Sequence, residues 1–393
     1  MTVLVTHPGR QHSHQLARAL YERGRLAGYW TGVPAADPST KGPIYRGLVR
    51  LSPQPPTSLP ADVVRHHYVM PLARRAAGLA FGPGRIKALR HRAAARFDAW
   101  AARRLPADLD AVISYENAAR DTFRTAREQG ITTILDAASF HHAWQDAFHA
   151  YVESDAAHAW INRRKDEEIE LADHILTVSE FARESYVNAG VPPGRVTSVP
   201  MGADLSAFTP NGGEKTDPGR PFTFLFAGHA GRRKGVDVML AASERLQQSG
   251  QTHRLQFAGG ANEGVFANTD APVERLGYLN RPELAKAFRC ADVLVLPSRH
   301  DSFGRVVVEA MATGLPVLLS AHVGAKEVVT EDKTGWVVPA EDVDALAERM
   351  RWCAKHPDSV AAMHDACVDT AQDYSWAAYR ERVTDVIKLV TNG

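Results

Sequence analysis

The sequence predicts an α/β protein of two domains, each a parallel sheet covered by helices. At 393 residues, the chain exceeds the roughly 100–200 residues that one domain usually contains. Short apolar runs alternate with longer amphipathic stretches along the chain, which is typical of βαβ units. A polar break rich in glycine and proline, Thr209–Pro221, separates two such series and is interpreted as the interdomain linker.

The first series begins at the amino terminus. TVLVT has the pattern of a strand, a helix is expected from about Gln11 to Arg23, and LAGYWTGV is the next strand pattern. Further strand patterns are DLDAVISY, ITTILDA, HILTVS and RVTSVPMG. Helical stretches separate them, near Asn117–Glu128 and through Lys165–Leu171. Parallel strands covered by helices follow from this order.

The second series repeats the alternation after the polar break. FTFLFAG, RLQFAGG, VERLGYL, DVLVLPS and PVLLSA are strand patterns. Helices are expected after Lys234, from Pro282 and from Gly304. We therefore expect two Rossmann-like domains in series.

Composition excludes several classes of protein. The 46 Lys and Arg residues nearly balance the 45 Asp and Glu residues. The net charge therefore does not attract the chain to nucleic acid, and nucleic acid is not expected as a partner. Cys290, Cys353 and Cys367 lie far apart without CxxC spacing, which argues against disulfides and structural zinc. The start MTVLVTHPGRQ lacks a secretory pattern, and no apolar run reaches the length of a membrane span. A cytoplasmic protein is expected.

One segment, Val63–Arg104, is strongly basic. Its single acid is Asp98, and apolar residues are interleaved with the arginines Arg74, Arg75, Arg85, Arg90, Arg92, Arg96, Arg103 and Arg104. Such a pattern suits a surface helix resting on anionic lipid headgroups at the inner face of a membrane. It equally suits a solvated helix face rich in arginine.

The chemistry of the chain is expected at PSRHDSFGRVVVE, residues 297–309. A buried strand pattern precedes a loop, and a helix opens near Gly304. The helix start would offer unpaired N–H groups to a diphosphate, without a metal. Asp301 lies before the helix and Glu309 within it, so one carboxylate could grip sugar hydroxyls and the other ribose hydroxyls.

PSRHDSFGRVVVEAMATGLPV resembles the signature of glycosyltransferase family four: PS, two residues, E-G-F-G, four residues, E-A-M-A, one residue, G, one residue, P-V. VSEFARESYVNAGVPPGRVTSVPMGADLSAF, FAGHAGRRKGVDVMLAA and LGYLNRPELAKAFRCADV also resemble segments of that family. Together the matches cover nearly all of Ser179–Pro339, whereas the amino-terminal half matches only in outline.

This resemblance implies a GT-B fold, with two Rossmann-like domains whose parallel sheets face a central cleft that holds the active site. Residues 1–208 would bind the acceptor and 209–373 the sugar nucleotide, while 374–393 would form a helix that packs back on the first domain. The implied activity is sugar transfer from a nucleotide-sugar donor with retention of configuration and no essential metal. The acceptor is left open: a glycan, a lipid-linked glycan or a small molecule.

Several donor-site residues follow from the resemblance. Lys234 matches the lysine on the donor diphosphate. His229 stands where the family usually has arginine, so Arg232 or Arg233 would supply that second charge. The backbone around Tyr278 would contact the nucleobase and Glu309 the ribose. The loop against sugar and diphosphate would comprise Ser302, Phe303, Gly304, Arg305 and Val306.

The remaining implied residues lie at the reacting sugar. Asp301 stands where the family normally has glutamate, keeping the charge on a shorter side chain. Gly9 belongs to the loop of the first domain near donor and acceptor. His141 or His142 would lie close to the transferred sugar. A metal site at His12, His14, His141 or His142 is less well supported, because the sequence shows no third ligand at suitable spacing.

Two alternatives come from other classes of protein. A nicotinamide-dependent oxidoreductase would also have Rossmann-like domains, but the first β–α turn, THPGRQHS, lacks G-x-G-x-x-G. A catalytically silent regulatory protein that binds sugar nucleotides is motivated by Asp301 and His229. Measuring donor binding together with donor turnover separates these alternatives.

Overall fold

The computed structural model describes residues 1–32, 43, 59–67, 83–148, 156–210 and 219–392. These residues form two compact units. The first comprises Met1–Thr177, Arg183–Val199 and Arg380–Gly393, and the second comprises Val178–Ala182 and Pro200–Tyr379. Most of the predicted linker, residues 211–218, lies outside the described residues.

The first unit contains a seven-stranded sheet in the order β3-β2-β1-β4-β5-β6-β7, with every pair parallel. Its strands are β1 Val3–His7, β2 Leu26–Thr31, β3 Val64–His66, β4 Ala111–Tyr115, β5 Thr132–Ala137, β6 His174–Thr177 and β7 Val196–Ser198. The helices that precede β7 in the chain are α1 Ser13–Tyr21, α2 Pro83–Ala102, α3 Arg120–Glu128, α4 His142–Phe148, α5 Ala156–Leu171 and α6 Glu180–Asn188.

Apolar side chains on both faces of this sheet form the core of the first unit. Strand β1 is buried along its whole length, as expected for a parallel strand covered by helices on both faces. Phe97 on α2 and Phe123 on α3 are fully buried and belong to the same core cluster as Leu4 of β1. Because β1, β4 and β5 are parallel neighbours, their carboxyl ends lie at one edge of the sheet.

The second unit has a six-stranded sheet in the order β10-β9-β8-β11-β12-β13, again parallel throughout. Its strands are β8 Phe222–Ala227, β9 His253–Ala258, β10 Val273–Gly277, β11 Val293–Leu296, β12 Val317–Ser320 and β13 Gly335–Val338. The remaining helices are α7 Val236–Gln248, α8 Arg281–Cys290, α9 Arg305–Met311, α10 Val343–Lys355, α11 Pro357–Ala361, α12 His364–Gln372 and α13 Trp376–Asn392.

Strands β8 and β11 lie at the centre of the second sheet, so the loops that follow them are neighbours. Val293–Leu296 is completely buried, and Phe224, Phe226 and Trp336 are fully buried around it. In open parallel sheets, ligands bind beyond the carboxyl ends of such central strands.

These observations confirm the prediction of two α/β domains with parallel sheets. The short strands β3 and β13 were not predicted. Among the described residues, no helix is long and apolar enough to cross a membrane. The terminal helix α13 reaches the first unit, where the Arg380 guanidinium donates a hydrogen bond to Gln15 Oε1 at 2.9 Å.

Candidate active site

Two loops of the second unit, those after β8 and β11, meet at the carboxyl edge of the sheet. Gly235 closes the first loop with φ of 67°, a left-handed conformation that favours glycine. A Cβ at this position would lie 1.9 Å from the carbonyl oxygen of Pro297 in the second loop. Glycine is therefore required for the two loops to touch.

Lys234 and Asp301, one on each loop, are brought together by this contact. Lys234 Nζ donates a hydrogen bond to Asp301 Oδ2, although the residues are 67 positions apart. The side chains are 14% and 15% exposed, so the pair is largely shielded from bulk water. The structure thus joins the residue predicted for the diphosphate to the one predicted for the sugar.

The loop after β11 is held in place by several contacts. Phe303 is buried, and the carbonyl of Ser302 accepts a hydrogen bond from the Ser179 hydroxyl at 2.7 Å. Gly304 caps the seven-residue helix α9 with φ of 90°, and a Cβ there would lie 3.4 Å from Asp301 Oδ2. The predicted loop of residues 302–306 therefore leads directly from Asp301 into the helix.

A pocket of about 420 Å³ lies beside these loops. It is lined by Ala227, Gly228, His229, Ala258, Gly259, Gly260, Tyr278, Leu279, Leu284 and Val306. Three of the predicted donor-site residues, His229, Tyr278 and Val306, are thus brought together. Tyr278 is 88% exposed, so its ring is available to a flat ligand at the mouth of the pocket.

His229 and Arg233, close to this pocket, have defined hydrogen-bond partners. His229 Nε2 forms a hydrogen bond of 2.7 Å with Asn262 Oδ1, which the sequence did not predict. The Arg233 guanidinium donates to the His300 carbonyl at 3.1 Å, so Arg233 ties the two loops. Arg232 is exposed on the same 3-10 turn, Arg232–Lys234.

Glu309 lies on α9, on its partly buried side. Burial raises the pKa of its carboxyl, and the nearby Arg305 and Arg281 guanidinium groups oppose this shift. Arg281 is itself paired with Asp204 at 2.7 Å. A carboxylate that is buried and incompletely compensated favours a ligand that can donate hydrogen bonds to it.

Gly9 and His141 belong to the first unit. Gly9 N–H donates to Nδ1 of the buried His7 at 2.7 Å, and burial lowers the pKa of His7 to about 3. Burial, with a smaller effect of His142, lowers the pKa of His141 to about 4. Both rings are therefore neutral at physiological pH.

The structure adds a third group, Asp166, to the histidine pair. Ligand atoms of His141, His142 and Asp166 all lie within 4.8 Å of one another, and His142 Nε2 is 3.0 Å from Asp166 Oδ1. His12 pairs with Asp136 at 2.8 Å. The contact between His142 and Asp166 joins the start of α4 to α5.

Residues 213–370 match the family described as glycosyl transferases group 1. Curated relatives include D-inositol 3-phosphate glycosyltransferases of Kribbella flavida, 31% identical over 248 residues, and of Catenulispora acidiphila, 29% identical over 247 residues. These alignments cover 55% and 57% of this chain, and 58% and 59% of the relatives. The chain therefore matches less than two thirds of these relatives' length.

Solved structures resemble the whole chain. A sucrose-phosphate synthase from Thermosynechococcus elongatus aligns with a TM-score of 0.68 at 18% identity, covering 99% of both chains. HepE of Anabaena, crystallised with UDP and glucose, aligns with a TM-score of 0.64 at 14% identity, also covering 99% of both. These similarities confirm the predicted GT-B fold. The match to the glycosyl transferases group 1 family spans residues 213–370 of this chain.

Proposed function

We propose that this protein is a retaining glycosyltransferase that moves a sugar from a nucleoside-diphosphate sugar to an acceptor hydroxyl. The observation that carries the proposal is the Lys234–Asp301 pair beside the pocket of about 420 Å³. Both features lie within the residues that match the family. A cation, a carboxylate and an apolar pocket together suit a ligand with a phosphate, a polyol and a flat base.

The nucleoside is proposed to occupy the pocket, with its base beside the backbone of Tyr278. The lining is mostly apolar, and glycines at 228, 259 and 260 expose backbone groups. Glu309 would accept hydrogen bonds from the ribose hydroxyls, which compensates a carboxylate that burial otherwise disfavours. HepE, of the same fold, was crystallised with UDP, so UDP-sugars are the first donors to test.

In the proposed reaction, the bond between the anomeric carbon and the diphosphate oxygen breaks as the acceptor oxygen bonds to that carbon. The departing nucleoside diphosphate gains negative charge, which the Lys234 ammonium and an arginine of the same turn stabilise. The acceptor hydroxyl approaches from the face that the diphosphate leaves, as retention requires, and its proton passes to an oxygen of the departing diphosphate. Asp301 would accept a hydrogen bond from a sugar hydroxyl, and His141 remains a predicted contact of the transferred sugar. With these cations present, we expect no essential metal.

Donor turnover tests this function. The full chain is titrated with UDP- and GDP-sugars, and the released nucleoside diphosphate is measured with and without cell extracts that supply acceptors. NMR of the product reports whether the anomeric configuration of the donor is retained. We expect Lys234→Ala and Glu309→Ala each to cut turnover severely while the melting temperature stays near that of the wild type. Near-normal rates in both variants would refute the assignment, and binding without turnover would favour the regulatory alternative.

We also propose a peripheral contact with anionic lipid at the inner face of the membrane, made by helix α2. Its one acid, Asp98, is fully buried and pairs with Arg164. The exposed side chains of α2 include Leu89, Arg92 and Arg96, so this face carries positive charge only. The predicted arginines at 74 and 75 lie outside the described residues. A lipid-linked glycan acceptor would be consistent with this contact.

Co-sedimentation with vesicles tests the contact. Wild-type protein should sediment with phosphatidylglycerol vesicles at low salt and not with phosphatidylcholine vesicles, because the attraction is electrostatic. Absence of binding to anionic vesicles would leave α2 as a solvated helix face.

A further inference from the structure

Arg299 crosslinks the two loops of the donor site, and neither the sequence nor the family resemblance pointed to it. Its side chain is 14% exposed, and all three guanidinium nitrogens donate to carboxylates. Nη1 and Nη2 each lie 2.7 Å from one oxygen of Asp237. Nε donates to Glu341 Oε1. Bidentate pairing of this kind fixes the guanidinium plane as well as its position.

Arg299 also holds the backbone immediately before Lys234. Its Nη1 donates to the carbonyl of Arg232, and its own N–H donates to the carbonyl of Arg233 at 2.9 Å. Asp237 lies in the first turn of α7, just after Lys234. Arg299 is therefore bonded to the chain on both sides of Lys234.

The bonds of Arg299 leave it little capacity to bind a ligand directly. A guanidinium has five N–H donors, and the Asp237, Glu341 and Arg232 bonds use four of them. Lysine at this position would keep the charge, but its ammonium lacks the planar fork that serves two carboxylate oxygens and a carbonyl together.

We propose that Arg299 is a positioning residue that sets the Lys234 ammonium for the donor diphosphate, acting through Asp237 and the backbone of Arg232 and Arg233. This inference rests on the proposed function, because it assumes a nucleoside diphosphate at Lys234. Arg299 does not itself contact the phosphates. Its effect is transmitted by loop geometry, so it should be specific to the diphosphate half of the donor.

Two variants distinguish a positioning role of Arg299 from a purely electrostatic one, because the two roles predict different changes in UDP affinity. Asp237→Asn removes a negative charge near the anion site, so electrostatics alone would leave UDP affinity unchanged or raise it. Positioning predicts weaker binding, because the bidentate pair is lost. Arg299→Lys retains the positive charge, so a direct phosphate ligand would keep much of its affinity, whereas a positioning residue would not.

The experiment is calorimetric titration of the full-length variants with UDP and with uridine, or with GDP and guanosine if the protein prefers the purine. Asp237→Asn and Arg299→Lys should each weaken diphosphate binding about tenfold, equivalent to about 1.4 kcal/mol, and leave nucleoside binding unchanged. Glu341→Gln, which keeps an oxygen that can accept from Nε and removes only its charge, should give a smaller loss in the same direction. Diphosphate affinity that is unchanged or raised in Asp237→Asn overturns the proposal.

Two controls separate the possible failures. Arg245, in the last turn of α7, pairs with Asp344, so Arg245→Met should change neither affinity. If it weakens UDP binding as much as Arg299→Lys does, general destabilisation explains the result and the proposal fails. Lys234→Met tests the proposed function itself. Unchanged UDP affinity in Lys234→Met would remove the diphosphate from this site, whereas a loss there with none in Asp237→Asn refutes only the role of Arg299.

Discussion

Replacing Glu309 by glutamine tests the proposed ribose contact. The side chain keeps its size and loses its charge. A hydrogen bond to a charged acceptor contributes about 1.5–3 kcal/mol. Because Glu309 is partly exposed, we expect the lower half of this range, about 1.5–2 kcal/mol, or roughly a 10- to 30-fold loss of affinity. Ribose is common to uridine, UMP and UDP, so all three ligands should weaken by the same factor.

In Glu309→Gln, we expect ligand affinity to fall while the melting temperature of the protein does not. Burial raises the pKa of Glu309, so its ionised form is disfavoured in the folded state, and removing the charge should keep or raise the melting temperature. Calorimetric titration and thermal melts measure the two effects. Glu348, an exposed glutamate on α10, provides the control: Glu348→Gln should change neither. A loss of affinity for UDP alone, or affinity unchanged for all three ligands, would refute the ribose assignment.

Three further predictions use the same protein. Lys234→Met should weaken UDP binding by about 1.5–3 kcal/mol, roughly 10- to 150-fold, and leave uridine unchanged; an equal loss for uridine would contradict a diphosphate contact. His7 and His141 have folded-state pKa values of about 3 and 4, below the unfolded value, so the unfolded state binds more protons. Urea unfolding should therefore show stability falling as pH drops from about 6.5 towards 4, with a shallower slope in His7→Asn; an identical slope would contradict this. Arg92→Glu with Arg96→Glu should abolish sedimentation with anionic vesicles without changing donor turnover in solution.

Much of the fold is predictable because parallel strands are buried on both faces. The run VLVL has no polar residue and VLLS has one only at its end, so their patterns stand out from the amphipathic helices. Strand β3 escapes this reasoning because Val64–His66 has only three residues within an arginine-rich segment. It is a strand because it pairs with β2 at the edge of the sheet, which local patterns do not reveal.

The sequence predicts the candidate site one residue at a time, but it does not predict the contacts between these residues. Lys234 and Asp301 each stand in a recognisable segment, yet their hydrogen bond depends on the adjacency of β8 and β11. Gly235 is a second example, since the need for glycine arises from a carbonyl in the other loop. Arg299 has no local signal at all, because all its acidic partners are distant in sequence. Such roles follow only from tertiary contacts.

Release of nucleoside diphosphate is the most direct test of the central claim, that the Lys234–Asp301 site splits a nucleotide sugar for transfer. Wild-type protein and Lys234→Met are incubated with a panel of UDP- and GDP-sugars, and the released UDP or GDP is quantified by chromatography. We predict that at least one donor is consumed by the wild type and that the variant consumes it far more slowly. Equal consumption by both proteins, or none by the wild type even with acceptor extracts, would contradict the account.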